Sequence, residues 1–240
     1  MASPKTISSG WSTVRLVTVL SAMMILIGCV STTVRQIDQL EAVGDDPRIL
    51  VMTPDIKYYL LTAGGIPEPH AEWTTAAREN FATALQAFAE ERDTNLVMVV
   101  DQDELEETEI EYQKLYSAVG STILINYFGA SKLPSKGDQF DWTLGPGVAA
   151  IGEKYDADYA LFSYYRDYQA SGGRIAFAIL AAAAGVGVAT GSEGGFASLI
   201  DLNTGDIVWF NVVAAGSGEL RKENGAVTAV NALFKDLPEG

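Results

Sequence analysis

The chain has 240 residues, with 16 Lys and Arg against 31 Asp and Glu, a net charge of −15 and a pI near 4.4. That balance excludes a nucleic-acid binder, whose partner's phosphates require Lys and Arg, and it excludes docking on anionic lipid through a basic patch. One cysteine and one histidine (His70) leave no internal disulfide and little material for a His-rich metal site or a Ser/His/Asp triad, while a hydrophobic content of 48% allows one domain, with or without a tail, to bury a sizeable core.

Residues 1–15 contain Lys5 and Arg15 and no acid, and Leu16 to Ile27 is apolar except for Thr18 and Ser21. Gly28 and Cys29 follow. A basic start, a short apolar run and a small residue before the cut make a secretory signal. The run is too short for a membrane-spanning helix, which needs about 20 apolar residues. The stretch "LIGC", Leu26 to Cys29, resembles the lipobox of bacterial lipoproteins, with Ile27 larger than the commonest residue at its position. That resemblance implies removal of residues 1–28 and a diacylglycerol on the Cys29 thiol, often with a further acyl chain on the new amine. Each buried methylene contributes about 0.8 kcal/mol, so two or three chains make a firm anchor. Val30-Ser31 follows the cysteine where an Asp would mark inner-membrane retention, which by the same resemblance implies the outer membrane, facing the periplasm. Cleavage takes away two basic residues and no acid, leaving 14 against 31 and a net charge of −17.

Residues 29–46 read as a polar tether and 47–240 as the globular domain. Arg48 to Met52 has the pattern of a buried strand, and Lys57 to Ala63 that of a second extended piece before a Gly/Pro loop with Pro67 and Pro69. Glu72 to Arg92 is an amphipathic helix, with Trp73, Ala77, Phe81, Ala84, Leu85 and Phe88 on one face. "NLVMVV", Asn95 to Val100, reads as a buried strand. Asp101 and Glu104 then form a capping pair for a helix from about Gln102 to Phe128, with Leu105, Tyr112, Tyr116, Val119, Ile123 and Tyr127 as its stripe. Pro146 marks a helix start continued by Val148, Ile151 and Tyr155. Asp158 to Tyr168, Phe196 to Leu202 and Asp206 to Ala214 are strands, the last two joined by the "NTGD" hairpin turn. Gly225 to Leu237 is a closing helix with Val227, Val230, Phe234 and Leu237 inward. This order predicts an α/β (or α+β) fold, one mixed sheet covered by helices.

The stretch "SLIDLNTGDIVWFN", Ser198 to Asn211, resembles a group of periplasmic α/β lipoproteins. They include the curli secretion-channel lipoprotein, the lipoprotein activators of cell-wall synthases and the N-terminal domain of the Tol-system β-propeller protein. Asp201, Thr204, Gly205 and Trp209 carry the resemblance, and Lys154 before Tyr155-Asp156-Ala157-Asp158-Tyr159 fits the same group. The likeness implies a fold and a cellular setting, not a reaction.

The acidic run Asp101, Asp103, Glu104, Glu106, Glu107, Glu109 and Glu111 lacks the glycine turn of a calcium loop and reads as a solvated helix start, with acids at the positive end of the dipole. His70 reads as a surface histidine. No nucleophile elbow, P-loop, zinc spacing or dinucleotide fingerprint occurs. No enzyme, metal or cofactor is expected. On the Asp158–Tyr168 strand, alternation puts Tyr164 and Tyr168 on one face and Tyr159 and Tyr165 on the other.

"IAFAILAAAAGVGVAT", Ile175 to Thr190 within an apolar Gly/Ala-rich segment at 174–191, has no charge. It is too short to span a bilayer as a helix and lacks the alternation of a barrel strand. Two readings stand: a hairpin or helix buried in the monomer, or an element for oligomers or membrane. In the resemblance, the comparable region of the curli channel leaves the globular domain and joins a pore. Tyr164, Tyr168, Phe177 and Leu180 are the candidate interface residues. The expected partners are membrane lipid through acylated Cys29, other envelope proteins and copies of the chain itself. The expected role is a lipid-anchored accessory or assembly factor working through protein contacts, with a subunit of an oligomeric secretion pore as the alternative.

Overall fold

The computed structural model describes residues 31–37, 40, 47–92, 96–98 and 105–238. Cys29, the signal segment and Asp101 to Glu104 lie outside the described residues. Among the described residues, eight strands form one mixed sheet: β1 (Ser31–Arg35), β2 (Ile49–Val51), β3 (Asp55–Leu61), β4 (Pro67–Pro69), β5 (Leu96–Met98), β6 (Tyr159–Ala170), β7 (Gly191–Asp201) and β8 (Ile207–Ala214). The spatial order is β1-β8-β7-β6-β2-β5, and β3 continues beside the far half of β6 with β4 outside it. β2 runs parallel to β5 and β6, and β3 parallel to β6, while the β6–β7, β7–β8, β8–β1 and β3–β4 pairs are antiparallel.

The helices are α1 (Ala71–Arg92), α2 (Glu107–Ile123), α3 (Ala149–Tyr155), α4 (Gly172–Ala183) and α5 (Glu223–Leu233). α1 and α5 cover one face of the sheet, packing Phe81, Leu85, Phe88, Val230 and Phe234 on Ile49, Leu161, Leu199 and Trp209. α2, α3 and the loop bearing Phe140 and Trp142 cover the other, against Leu50, Phe162, Phe196 and Phe210. The fold is therefore α/β, with helices on both faces, as the element order predicts.

Several details depart from that expectation. The expected tether contributes β1, an edge strand zipped antiparallel onto β8 from Ser31↔Val213 to Arg35↔Trp209. Its unpaired backbone groups find a ladder there that composition does not announce. α2 begins, by its helical hydrogen bonds, at Glu107, and its last turn widens into a π-turn over Leu124–Phe128. That turn seats Tyr127 on Phe140 (centroids 5.1 Å) and Phe128 on Phe210 (5.9 Å). Val227, expected inward, is exposed on α5, because Ala226, Ala229, Val230 and Leu233 already fill the face turned to the sheet. A bulge leaves Val208 as an extra residue on β8, so Val208 and Trp209 both face α5 and α1. Gly120 lets α2 approach closely: a Cβ there would lie 2.0 Å from the Phe196 ring.

Candidate interaction surface

The turn that joins β7 to β8 is a closed knot of hydrogen bonds. Asp201 Oδ1 accepts from the amides of Asn203 (2.8 Å) and Thr204 (3.3 Å), and the Gly205 amide returns to the Asp201 carbonyl (2.8 Å). Gly205 has φ +84°, and its position allows Leu144 and Thr143 to donate to its carbonyl. Trp209 is fully buried, its ring 6.5 Å from that of Phe234 at the end of α5. These four motif residues shape the sheet and carry no reactive geometry.

The opposite end of the sheet is different. β6 and β7 run on past β8 and are joined by α4. No residue of α4 is buried, which overturns the reading of this segment as a hairpin or helix hidden in the monomer. The reason is topological. α4 leaves the sheet at its end, where neither the α1–α5 layer nor the α2–α3 layer supplies a buried core residue against it. Phe177 is 51% and Leu180 72% exposed, beside Ile175, Ile179 and Val186. Local signals hold the helix: the Ser171 Oγ accepts from the Arg174 amide (3.2 Å) as N-cap. Gly185, at φ +79°, closes a Schellman motif in which Val186 donates to the Ala181 carbonyl and Gly185 to that of Ala182, both 2.9 Å. Arg174 turns back, its Nε donating to the Ala189 carbonyl (3.0 Å) and its Nη1 to that of Ala63 (3.5 Å).

Tyr164 and Tyr168 share the α2-facing side of β6, as alternation requires. Tyr168 stacks on Tyr59 of β3 (4.9 Å), and Tyr164 stacks on Phe196 (4.7 Å) beneath the Arg166 guanidinium (3.9 Å). The four candidate interface residues thus fall in two places, a half-buried tyrosine face on the sheet and an exposed apolar helix beyond its end. Beside the tyrosines a cleft is lined by Asp55, Lys57 and Arg166 from the sheet and Ile110, Gln113 and Lys114 from α2. Lys57 and Arg166 both pair with Asp55, so Lys114 is the cation of this cleft without an ion pair among the described residues.

Of the three buried carboxylates among the described residues, Asp55, Glu109 and Asp167, the last two were not legible as such. Glu109, counted in the solvated acidic run, is buried and accepts from Lys154 Nζ (2.5 Å) and the Tyr155 hydroxyl (3.1 Å). Burial pushes its carboxyl up, but the bonds from Lys154, its own amide and Tyr155 together hold it below the usual range. Asp167 lies under the Ser217–Arg221 loop, directly between Tyr58 of β3 and Glu193 of β7. Gln169 holds its Oδ1 (2.7 Å), while Oδ2 and the Tyr58 hydroxyl are buried without a partner. Burial, then the Glu193 and Glu219 carboxylates, push Asp167 up to about 6, against the opposing pull of Gln169 and Arg221. His70 caps α1, its Nδ1 accepting from the Trp73 amide (3.4 Å) while its ring stacks on the indole (3.8 Å). Among the described residues, no group of three or more His, Cys, Asp or Glu is placed to hold a metal, and no helix is long and apolar enough to cross a membrane.

No family model matches the sequence, and no curated protein matches it. Among solved structures, the chain is similar to a PelC dodecamer from Paraburkholderia phytofirmans, at 11% identity and a TM-score of 0.37, over 87% of this chain and 98% of that one. It is also similar to lipoprotein GNA1162 from Neisseria meningitidis, at 10% identity and a TM-score of 0.33, over 80% of this chain and 97% of that one.

Proposed function

We propose that the chain is a lipid-anchored envelope protein, held by an acylated Cys29 at the periplasmic face of the outer membrane, that works by contact rather than by catalysis. The observation that carries this reading is α4, a capped apolar helix with no buried residue that projects from the end of a finished core. Exposed apolar surface of this kind marks a contact site. The resemblance of Leu26 to Cys29 to a lipobox supports attachment at Cys29, two residues before Ser31 in the sequence. The tyrosine face of β6 offers envelope proteins a second surface, with flat rings and a hydroxyl edge. A pore wall is the weaker reading, because α4 is about 18 Å long against a hydrocarbon core of about 30 Å.

The test is metabolic labelling with palmitate. The wild-type chain takes label and sediments with outer membranes; Cys29→Ser leaves unlabelled, uncleaved precursor. Label retained by Cys29→Ser refutes the anchor.

A further inference from the structure

We infer that the Ser217–Arg221 loop is a proton-operated latch, shut over Asp167 while that carboxyl carries a proton and released, as one segment, when the carboxyl ionises. This goes beyond the contact role proposed above and does not rest on it. Strand register builds the chamber first. Tyr58↔Asp167 and Asp167↔Glu193 are direct cross-strand neighbours, so β3, β6 and β7 each bring one polar side chain to the same place on the α1–α5 face. The β7–β8 ladder ends at Gly194↔Ala214, one residue before Glu193, and the chain leaving β8 folds back over the three. It turns through Gly216 and Gly218, at φ +89° and +130°, conformations that glycine adopts without strain. The cover is close: Asp167 is 1% and Ser217 3% exposed.

The bonds that hold the loop shut do not involve Asp167. The Gly216 amide donates to the Glu193 carboxylate, the Tyr165 hydroxyl to the Gly218 carbonyl (3.4 Å) and Asn80 Nδ2 to the Leu220 carbonyl (3.0 Å). Leu220 is buried in the α1–α5 core. Arg221 binds Glu219 with two donors (2.5 and 2.6 Å) and lies over the Trp73 ring (4.4 Å).

The charges around Asp167 favour a proton. Glu193 of β7 and Glu219 of the loop both raise it, and Arg221, which opposes them, is already committed to Glu219. Lys222 acts on Glu219, and Arg78 of α1 donates to the Ile56 carbonyl (3.2 Å). α5 buries Ala226, Ala229, Val230 and Leu233. Burial pushes the Tyr58 and Tyr165 hydroxyls up, so both stay neutral. Asp167 Oδ2 has no partner. An ionised carboxylate there is a buried charge without a counter-ion, and a proton removes that cost.

Relief comes locally, because β6 is fixed and the loop is not. β6 is laddered to β3 over Asp55–Leu61 and to β7 over most of its length. The loop swings between Gly216, where an added Cβ would meet nothing, and the start of α5, where Lys222 supplies no side-chain cap. Opening carries Glu219 away, admits water to Asp167 and bares Leu220 and the Tyr58 hydroxyl, a surface that the closed form withholds. The closed carboxyl is pushed up to about 6, by burial first and by Glu193 and Glu219 next, against an ordinary 3.8. The opening constant should therefore rise about tenfold per pH unit between those values, about a hundredfold in all, and level off above them.

The experiment uses the full chain carrying Ser217→Cys, with and without Asp167→Asn. The new thiol is reacted with 4,4′-dithiodipyridine between pH 4 and pH 8. Reaction is followed on the peptide that holds residue 217 and divided by its rate in the urea-unfolded chain at the same pH. That ratio should rise about a hundredfold from pH 4 to pH 7, ignore low urea, and lose its pH dependence with Asp167→Asn. A flat ratio in the parent, or the same rise with Asp167→Asn, overturns the latch. A ratio that climbs with low urea in step with global unfolding also overturns it, by showing that the whole domain opens. Should the cysteine variant fail to fold, hydrogen exchange at the 217–220 amides of the unmodified chain and of Asp167→Asn, read as protection against pH and low urea, decides in the same terms.

Discussion

At the Thr204–Gly205 end of the sheet, the turn binds itself through Asp201 and is clamped from outside by Thr143 and Leu144, with Trp209 and Phe210 fully buried a few residues on. At the α4 end, β6 and β7 run past β8 and present a helix of exposed Phe, Ile and Leu. Both ends have well-formed local structure, with caps, turn glycines and satisfied backbone groups. They differ in tertiary cover. Local signals are enough to specify the shape of an element, but only packing in the monomer ties that element to the stability of the fold. Substitutions at the first end should unfold the protein, and those at the second should leave it folded and change what it touches.

The sharpest way to break this contrast is Trp209→Ala. Loss of a fully buried indole should cost about 3–5 kcal/mol, read as a lowered denaturant midpoint; an unchanged midpoint means that β8 is not central. Asp167→Asn should act in the other direction. The folded carboxyl titrates near 6 against an ordinary 3.8, so the native state holds its proton more tightly than the unfolded chain. Stability then rises as pH falls from about 6 to 4, and ionisation costs about 2–3 kcal/mol above that window. The Asn variant should be more stable by that order at pH 7.5 and lose its advantage near pH 4. An advantage independent of pH would remove the buried carboxylate from the account. The groups facing it (Glu193, Glu219, Arg221, Tyr58 and Tyr165) remain in both proteins.

Gly205→Ala comes next. An L side chain at positive φ costs about 1–2 kcal/mol, and here the added Cβ would also lie 2.2 Å from the Gly145 carbonyl. Thermal unfolding should shift down accordingly, and a neutral result would show a turn able to move away from the 143–145 loop. The smallest stability effect belongs to Leu180→Asp, which should change unfolding by no more than about 0.5 kcal/mol. A loss of several kcal/mol there would restore the reading in which this segment is part of the monomer core.

The layered α/β order was legible because period-3.6 and period-2 patterns follow from which face an element buries. Phe81, Leu85 and Phe88 on α1, or Leu161 and Phe162 back to back on β6, could be read directly. The burial of Trp209 follows from its place in an apolar strand beside a tight turn. The residues that resisted were those whose fate depends on a partner far along the chain. Ser31 to Arg35 looks like a polar tether until β8 is beside it. Glu109 looks like one more helix-start acid until Lys154 arrives from α3. Asp167 looks like a polar edge residue until the Ser217–Arg221 loop closes over it. The apolar 175–190 run announced its hydrophobicity but not its address. Ser171 and Gly185, which cap the helix, were the available signals that it stands on its own.

β1 also sets an order of events. Its strand follows the proposed attachment point by two residues, yet it docks on β8, so that Thr33 and Asn211 meet 178 positions apart. Contacts so remote in sequence are late and slow to form, and these cannot form before nearly the whole chain has been made. The N-terminal edge strand therefore has no ladder to join until β8 has been made. Once β8 is in place, β1 closes the sheet edge.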